Sequence, residues 1–153
     1  MENMENETRK QLLVVCTGNT CRSPMAAAIL NHILQEQGLD GEYFAHSAGV
    51  AAFDHQPAAE NAVAAAKENG LDLSGHQSKR ITLEDVAAAE HIFVMSEDQR
   101  RLLASAVPDA AGNITVMQVP DPFGGDLEVY RACFAQMQDW LNRYFEEHPL
   151  CRP

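Results

Sequence analysis

Leu12-Leu13-Val14-Val15 is an unbroken apolar run that ends at Cys16 and passes at once into the polar stretch Thr17-Gly18-Asn19-Thr20. A strand apolar on both faces belongs inside a parallel sheet covered by helices on both sides, so this run restricts the chain to α/β architectures. The segment from Cys16 to Pro24 is equally restrictive. Five residues lie between Cys16 and Arg22, enough for a loop whose backbone N–H groups point inward, with Ser23-Pro24 suited to open a helix. Gly18 and Asn19 are residue types that tolerate left-handed backbone. A loop of this build fits a phosphate-sized dianion.

The residues of the loop carry a definite chemistry. Inward N–H dipoles, a helix N-terminus and a neighbouring arginine favour the thiolate of Cys16 and make it a nucleophile. Arg22 keeps its charge and offers a planar fork that grips two oxygens of a phosphoryl group, a task a lysine does less well. A lone cysteine after a strand is more often a small buried hydrophobe. Its company of Gly18, Asn19, Arg22 and a helix start is what favours a functional loop.

The rest of the chain alternates strand and helix signals. Strands are expected over residues 11–16, 43–48, 91–95 and 114–119. Helices are expected over 24–37 with Gly38 as stop, 57–69 with Gly70 as stop, 97–106 before Pro108 and 126–147, with a helical turn at 83–88. Leu127, Tyr130, Phe134, Met137, Leu141, Tyr144 and Phe145 recur at three- and four-residue spacing on the last helix and mark its core face, with Cys133 a packed thiol beside them. The pattern is an α/β three-layer sandwich with a central four-stranded parallel sheet flanked by helices. One domain over residues 11–148 is expected, between a polar tail at 1–10 and a short tail at 149–153 that carries Cys151.

At this point a resemblance is plain. Cys16 to Pro24, CTGNTCRSP, resembles the phosphate-binding loop of the low-molecular-weight protein tyrosine phosphatases, and Asp121-Pro122-Phe123-Gly124-Gly125 resembles that family's second motif. Ser47-Ala48-Gly49 and Gly75 to Arg80 fall in the order and approximate spacing of the family. The resemblance implies that Cys16 attacks phosphorus to give a phosphocysteine, that Arg22 stabilises the transferring group, and that Asp121 protonates the leaving atom and then activates water. The phosphate-binding set would be Thr17, Gly18, Asn19, Thr20, Cys21, Arg22 and Ser23. Ser23 would donate a hydrogen bond to the cysteine sulfur, and Asn19, Ser47 and His76 would hold the loop in shape. Outside this setting Asp121-Pro122 reads as an ordinary turn and His76 as an ordinary histidine. Met25-Ala26-Ala27-Ala28 stands where members commonly carry a glutamate, which leaves the three catalytic residues untouched.

Substrate choice rests on finer residues. Thr20 stands where tyrosine-directed members often have a bulkier aliphatic side chain, and here the chain resembles the bacterial protein arginine phosphatase branch. Thr20, Phe53 and Phe123 are the expected pocket residues; Thr20 favours phosphoarginine, while Phe53 as an aromatic wall favours phosphotyrosine. The resemblance also suggests that Cys21 traps an oxidised Cys16 as a reversible disulfide, the alternative being a small loop-packing side chain. No metal or other cofactor is expected. A formal charge of -11 disfavours nucleic acid and anionic lipid as partners, leaving phosphorylated proteins. The acidic opening residues lack the apolar core of a signal peptide, and the cysteines lack paired metal-type spacing, so a cytoplasmic protein is expected; a monomer is expected as well. Two other classes use a loop of this kind. A thioredoxin-coupled arsenate reductase needs further redox cysteines on a mobile segment, where Cys133 and Cys151 are poorly placed. A non-catalytic phosphate-binding module has no need of Cys16, Arg22 and Asp121 together.

Overall fold

The structure, a computed structural model, describes residues 9–150. The tail over residues 1–8 and Cys151 lie outside the described residues.

The apolar run forms β1 (Lys10–Cys16), in which Leu12, Leu13, Val14 and Val15 are all fully buried. Their alternation sorts them between two cores. Leu12, Val14 and Cys16 face one cluster and Leu13 and Val15 the other. The chain continues as α1 (Arg22–Glu36), β2 (Tyr43–Gly49), α2 (Glu60–Glu68), α3 (Leu83–Ala88), β3 (Ala89–Val94), α4 (Glu97–Ala106), a 3-10 turn (Pro108–Asn113), β4 (Ile114–Val116) and α5 (Leu127–Glu147). The strands form one parallel sheet in the order β2-β1-β3-β4. Met25 and Leu30 of α1, Ala62 and Ala65 of α2 and Phe134 and Met137 of α5 close the first core, while Val86 of α3, Leu103 of α4 and Ala110 of the 3-10 turn close the second. This is the expected three-layer α/β sandwich.

The order places β1 in the interior with successive connections leaving to opposite sides. Open α/β sheets bind ligands at the carboxyl ends of the strands flanking such a switch point. Cys16, the last residue of β1, stands there.

Helix stops behave as their residues require. Gly38 at φ +69° and Gly70 at φ +78° follow the ends of α1 and α2 in left-handed backbone. Asp126 caps α5 by accepting from the Val129 N–H at 3.1 Å. Phe93 at the sheet centre meets Trp140, Tyr144 and Phe145 edge-on.

Four local expectations need correction. Ser23 does not cap α1: the helix begins at Arg22 with Cys21 in the cap position and no side-chain cap, and the Ser23 hydroxyl is committed to the loop instead. Gly18 is not in left-handed backbone; of the two loop residues only Asn19, at φ +58°, is. The helix expected from residue 57 begins at Glu60, because the Ala59 N–H is held by the Thr20 carbonyl at 2.8 Å and keeps the segment extended against the loop. The strand expected over 114–119 ends at Val116 as regular structure. Gln118 turns to φ +55°, although Met117 and Val119 still donate to the carbonyls of Val94 and Met95.

Candidate active site

The loop after β1 curls over the sulfur of Cys16, which is 2% exposed. The Asn19 N–H points at the sulfur from 3.3 Å, and the Ser23 hydroxyl lies 2.9 Å away. The direction of that second contact follows from its neighbours. The Lys79 N–H donates to Asn19 Oδ1 at 2.9 Å, which turns the Asn19 amide so that Nδ2 donates to both Ser23 Oγ, at 2.8 Å, and Ser47 Oγ, at 2.9 Å. With its oxygen so engaged, Ser23 directs its own hydrogen at Cys16 Sγ. His76 Nε2 donates to the Asn19 carbonyl at 2.7 Å and steadies the left-handed residue from behind. The structure thus brings Cys16, Asn19, Ser23, Ser47 and His76 into one network.

Arg22 begins α1 and is 6% exposed. Its Nη1 donates to the Val119 carbonyl at 2.8 Å, and its Nη2 reaches Thr17 Oγ1 at 3.5 Å and Asp121 Oδ2 at 3.7 Å. The buried Nε–H has no hydrogen-bond partner among the described residues. A desolvated donor of this kind is unfavourable by roughly 1–3 kcal/mol until an acceptor meets it, and a phosphoryl oxygen is such an acceptor.

Asp121 approaches from the loop before α5. Its side chain is half exposed, and its Oδ1 accepts from the Phe123 N–H at 3.0 Å. Cys16, Thr17, Gly18, Thr20, Cys21, Arg22, Asp121 and Phe123 enclose a cavity of about 260 Å³. A groove of about 450 Å³ lies elsewhere, with Ser47, His76 and Lys79 in its wall, but it holds neither the thiol nor the acid. Chemistry selects the smaller cavity. Phe53 does not line it, and its ring is 82% exposed.

Two further thiols have plain surroundings. Cys21 Sγ lies 3.3 Å from the Tyr130 hydroxyl; burial first, then the thiol, keeps that phenol protonated well above its usual range. Burial pushes the Cys133 thiol up to about 11, as suits a packed side chain of α5. Among the described residues no cluster of His, Cys, Asp or Glu is arranged to hold a metal, and no helix is long and apolar enough to cross a membrane.

Sequence reasoning missed several contributors: the Lys79 N–H, the Val119 carbonyl, and Gln99, whose Nε2 donates to Thr17 Oγ1 at 3.3 Å. Backbone groups leave no signature in side-chain identity. Gln99 did leave one, since Ser96-Glu97-Asp98-Gln99 has the spacing of a capping box.

A strand-end thiol under inward donors, beside a fixed arginine and a half-exposed carboxylate, is the equipment of a cysteine-dependent phosphatase. The sequence profile of the low molecular weight phosphotyrosine protein phosphatases matches residues 11–148, and the chain belongs to that family. A protein-arginine-phosphatase of Geobacillus stearothermophilus is 33% identical over 146 residues, covering 90% of this chain and 95% of its own. The crystal structure of a low molecular weight protein tyrosine phosphatase from T. tengcongensis superposes with a TM-score of 0.84 at 35% identity, covering 90% of this chain and 99% of that one. A YwlE arginine phosphatase, solved as a cysteine-to-serine mutant with its active-site serine phosphorylated, superposes with a TM-score of 0.85 at 28% identity, covering 93% of this chain and 97% of its own.

Proposed function

We propose that this chain removes phosphate from phosphoarginine in proteins through a phosphocysteine on Cys16. The observation that carries the choice of substrate is the cavity wall: polar, β-branched Thr20 stands in it, and aromatic Phe53 does not. A guanidinium-linked phosphate suits a narrow wall with a hydroxyl, whereas a phenyl ring gains most between aromatic faces. The relatives named as arginine phosphatases support the same reading.

In the first step the Cys16 thiolate attacks phosphorus in line, a sulfur–phosphorus bond forms, and the phosphorus–nitrogen bond breaks. Its electron pair goes to the guanidine nitrogen, which takes a proton from Asp121. Arg22, with its unpartnered Nε–H, and the loop N–H groups hold the equatorial oxygens as charge gathers on them. Water then attacks the phosphocysteine, gives its proton to Asp121, and phosphate leaves as the thiolate returns. The hydrogen from Ser23 stabilises that thiolate in both steps. Cys21 adds a redox guard: a Cys16 sulfenic acid formed by peroxide condenses with the Cys21 thiol to a disulfide and releases water, and a dithiol reductant restores both. The enzyme acts as a cytoplasmic monomer. Cys133, packed and with its thiol pushed up, does not suit an arsenate-reducing relay.

Phosphotyrosine is the second reading, favoured by Phe123 in the wall. Wild type and Thr20→Ile, Cys16→Ser and Asp121→Ala variants, assayed on phosphoarginine and phosphotyrosine proteins, decide between them. Thr20→Ile is expected to move the kcat/KM ratio toward phosphotyrosine by roughly tenfold, and Cys16→Ser to be inactive on both. A ratio that Thr20→Ile leaves unchanged removes the basis for phosphoarginine. Substantial activity in Cys16→Ser removes the phosphocysteine.

A further inference from the structure

Gln99 is a buried polar side chain, 6% exposed, in the first turn of α4. Its backbone N–H is taken by the cap residue Ser96 at 3.3 Å. Its side chain does not close the capping box and reaches the end of β3 instead, where Oε1 accepts from the Met95 N–H at 2.8 Å. A backbone N–H only donates, so this contact fixes the amide orientation and turns Nε2 toward the phosphate loop, 3.3 Å from Thr17 Oγ1. The Thr17 oxygen also faces Arg22 Nη2 at 3.5 Å. Both neighbours are donors, so the oxygen accepts twice and its hydrogen is left for the cavity that Thr17 lines.

From this geometry we infer that Gln99 is a positioning residue for phosphoryl binding: through the Met95 N–H it orients the Thr17 hydroxyl as a donor to a phosphoryl oxygen and holds that hydroxyl against Arg22. The arrangement repeats the logic on the opposite side of the loop. There the Lys79 N–H pins the Asn19 amide, and the amide turns the Ser23 hydroxyl onto the sulfur. Here the Met95 N–H pins the Gln99 amide, and the amide turns the Thr17 hydroxyl onto the phosphate. One relay serves the nucleophile and the other serves the group being transferred. The second relay ties the C-terminal end of β3 to the loop after β1, so two neighbouring strands set the geometry of one oxyanion. A phosphoryl oxygen gains a donor that the loop backbone does not supply.

The inference rests on the phosphatase reading of this cavity, so its test uses inorganic phosphate binding by calorimetry, which needs no turnover, together with kcat and KM on an aryl phosphate. Gln99→Leu and Thr17→Val are each expected to weaken phosphate binding roughly ten- to a hundredfold, the value of one well-placed hydrogen bond to a charged group. Thr17→Ser, which keeps the hydroxyl, is expected to bind as wild type. In the Thr17→Val background Gln99→Leu is expected to have no further effect on phosphate affinity. If Gln99→Leu does not fold, Gln99→Glu takes its place in the cycle. It keeps the Met95 contact, and the effect of its added charge appears in both backgrounds and cancels in the comparison. Equal losses on changing Gln99 with and without the Thr17 hydroxyl, or unchanged phosphate affinity in Thr17→Val, overturn the inference. Phosphate binding that follows this pattern in a protein without activity on either phosphoarginine or aryl phosphate upholds the positioning role and removes the catalytic reading.

Discussion

Asn19 holds left-handed backbone at φ +58° while its side chain and carbonyl meet Lys79, Ser23, Ser47 and His76. Changing it has two separable effects. Asn19→Ala removes the amide network and also strains the backbone, since a β-carbon in left-handed conformation is unfavourable by roughly 1–2 kcal/mol. Asn19→Gly removes only the network. Both variants are expected to lose roughly ten- to a hundredfold in kcat/KM, because the Ser23 hydrogen is no longer directed at the sulfur, a charge-assisted bond of about 1.5–3 kcal/mol. Only the alanine variant is expected to show the additional loss in stability, read by denaturant unfolding. Equal stability of the two variants would show that the backbone there is not strained. The role of Asn19 was legible because asparagine tolerates this conformation and because the spacing matched a known loop. Gly18 misled because glycine permits a left-handed turn without requiring one. Ser23 misled because one hydroxyl serves equally well as a helix cap or as a donor to sulfur, and only the position of the Asn19 amide decides between them.

Strands and helices meet the loop through close backbone approaches, and Gly49 at the end of β2 is the tightest. A β-carbon there would lie 2.6 Å from the Thr17 carbonyl oxygen and 3.0 Å from the Asn19 nitrogen, both main-chain atoms that cannot swing aside. Gly49→Ala is therefore expected to push the phosphate loop away from β2. The expected outcome is a loss of about 1–3 kcal/mol in stability, with a fall in kcat/KM and weaker competitive inhibition by phosphate. Gly18→Ala is the control, because a β-carbon there meets only Thr20 Oγ1 at 3.8 Å. If both substitutions affect stability equally, the close approach at Gly49 is not what the loop depends on. Element identity was readable from periodicity throughout, and errors gathered at element ends. Residues 57–59 carry helix-forming alanines, yet the Thr20 carbonyl claims the Ala59 N–H. Residues 117–119 look like strand, yet Gln118 turns so that Val119 can offer its carbonyl to Arg22. In each case a contact from a distant element outweighed the local pattern, and a local pattern carries no record of it.

The sandwich as a whole was legible because it follows from burial: an apolar run with no polar face needs helices on both sides. The charge balance of the molecule is set by acidic side chains, yet its stability at mildly acidic pH depends on a histidine. His46 lies on β2, with its Nε2 buried and without a hydrogen-bond partner among the described residues, and burial first, then the nearby Lys79 ammonium, lowers it from 6.5 to about 4, with Asp85 opposing. His91, also lowered chiefly by burial, acts with the same sign. The folded protein holds His46 neutral where the unfolded chain protonates it, so the unfolded state binds more protons between about pH 6.5 and 4. Stability is therefore expected to fall as pH drops through that window and to be flat with respect to His46 above it. At pH 5 the shift corresponds to a loss on the order of 2 kcal/mol from this residue. His46→Phe, which keeps the ring and its stacking on Phe44 while removing the titration, is expected to flatten the profile between pH 7 and 5. Urea unfolding of wild type and variant at four pH values in that range checks it through the pH dependence of ΔG at constant m-value. Parallel profiles would assign the acid sensitivity to other groups. A variant that converges on wild type at pH 7 and exceeds it at pH 5 would place that sensitivity on the edge strand beside the Asn19 network, where Ser47, the next residue, supports the phosphate loop.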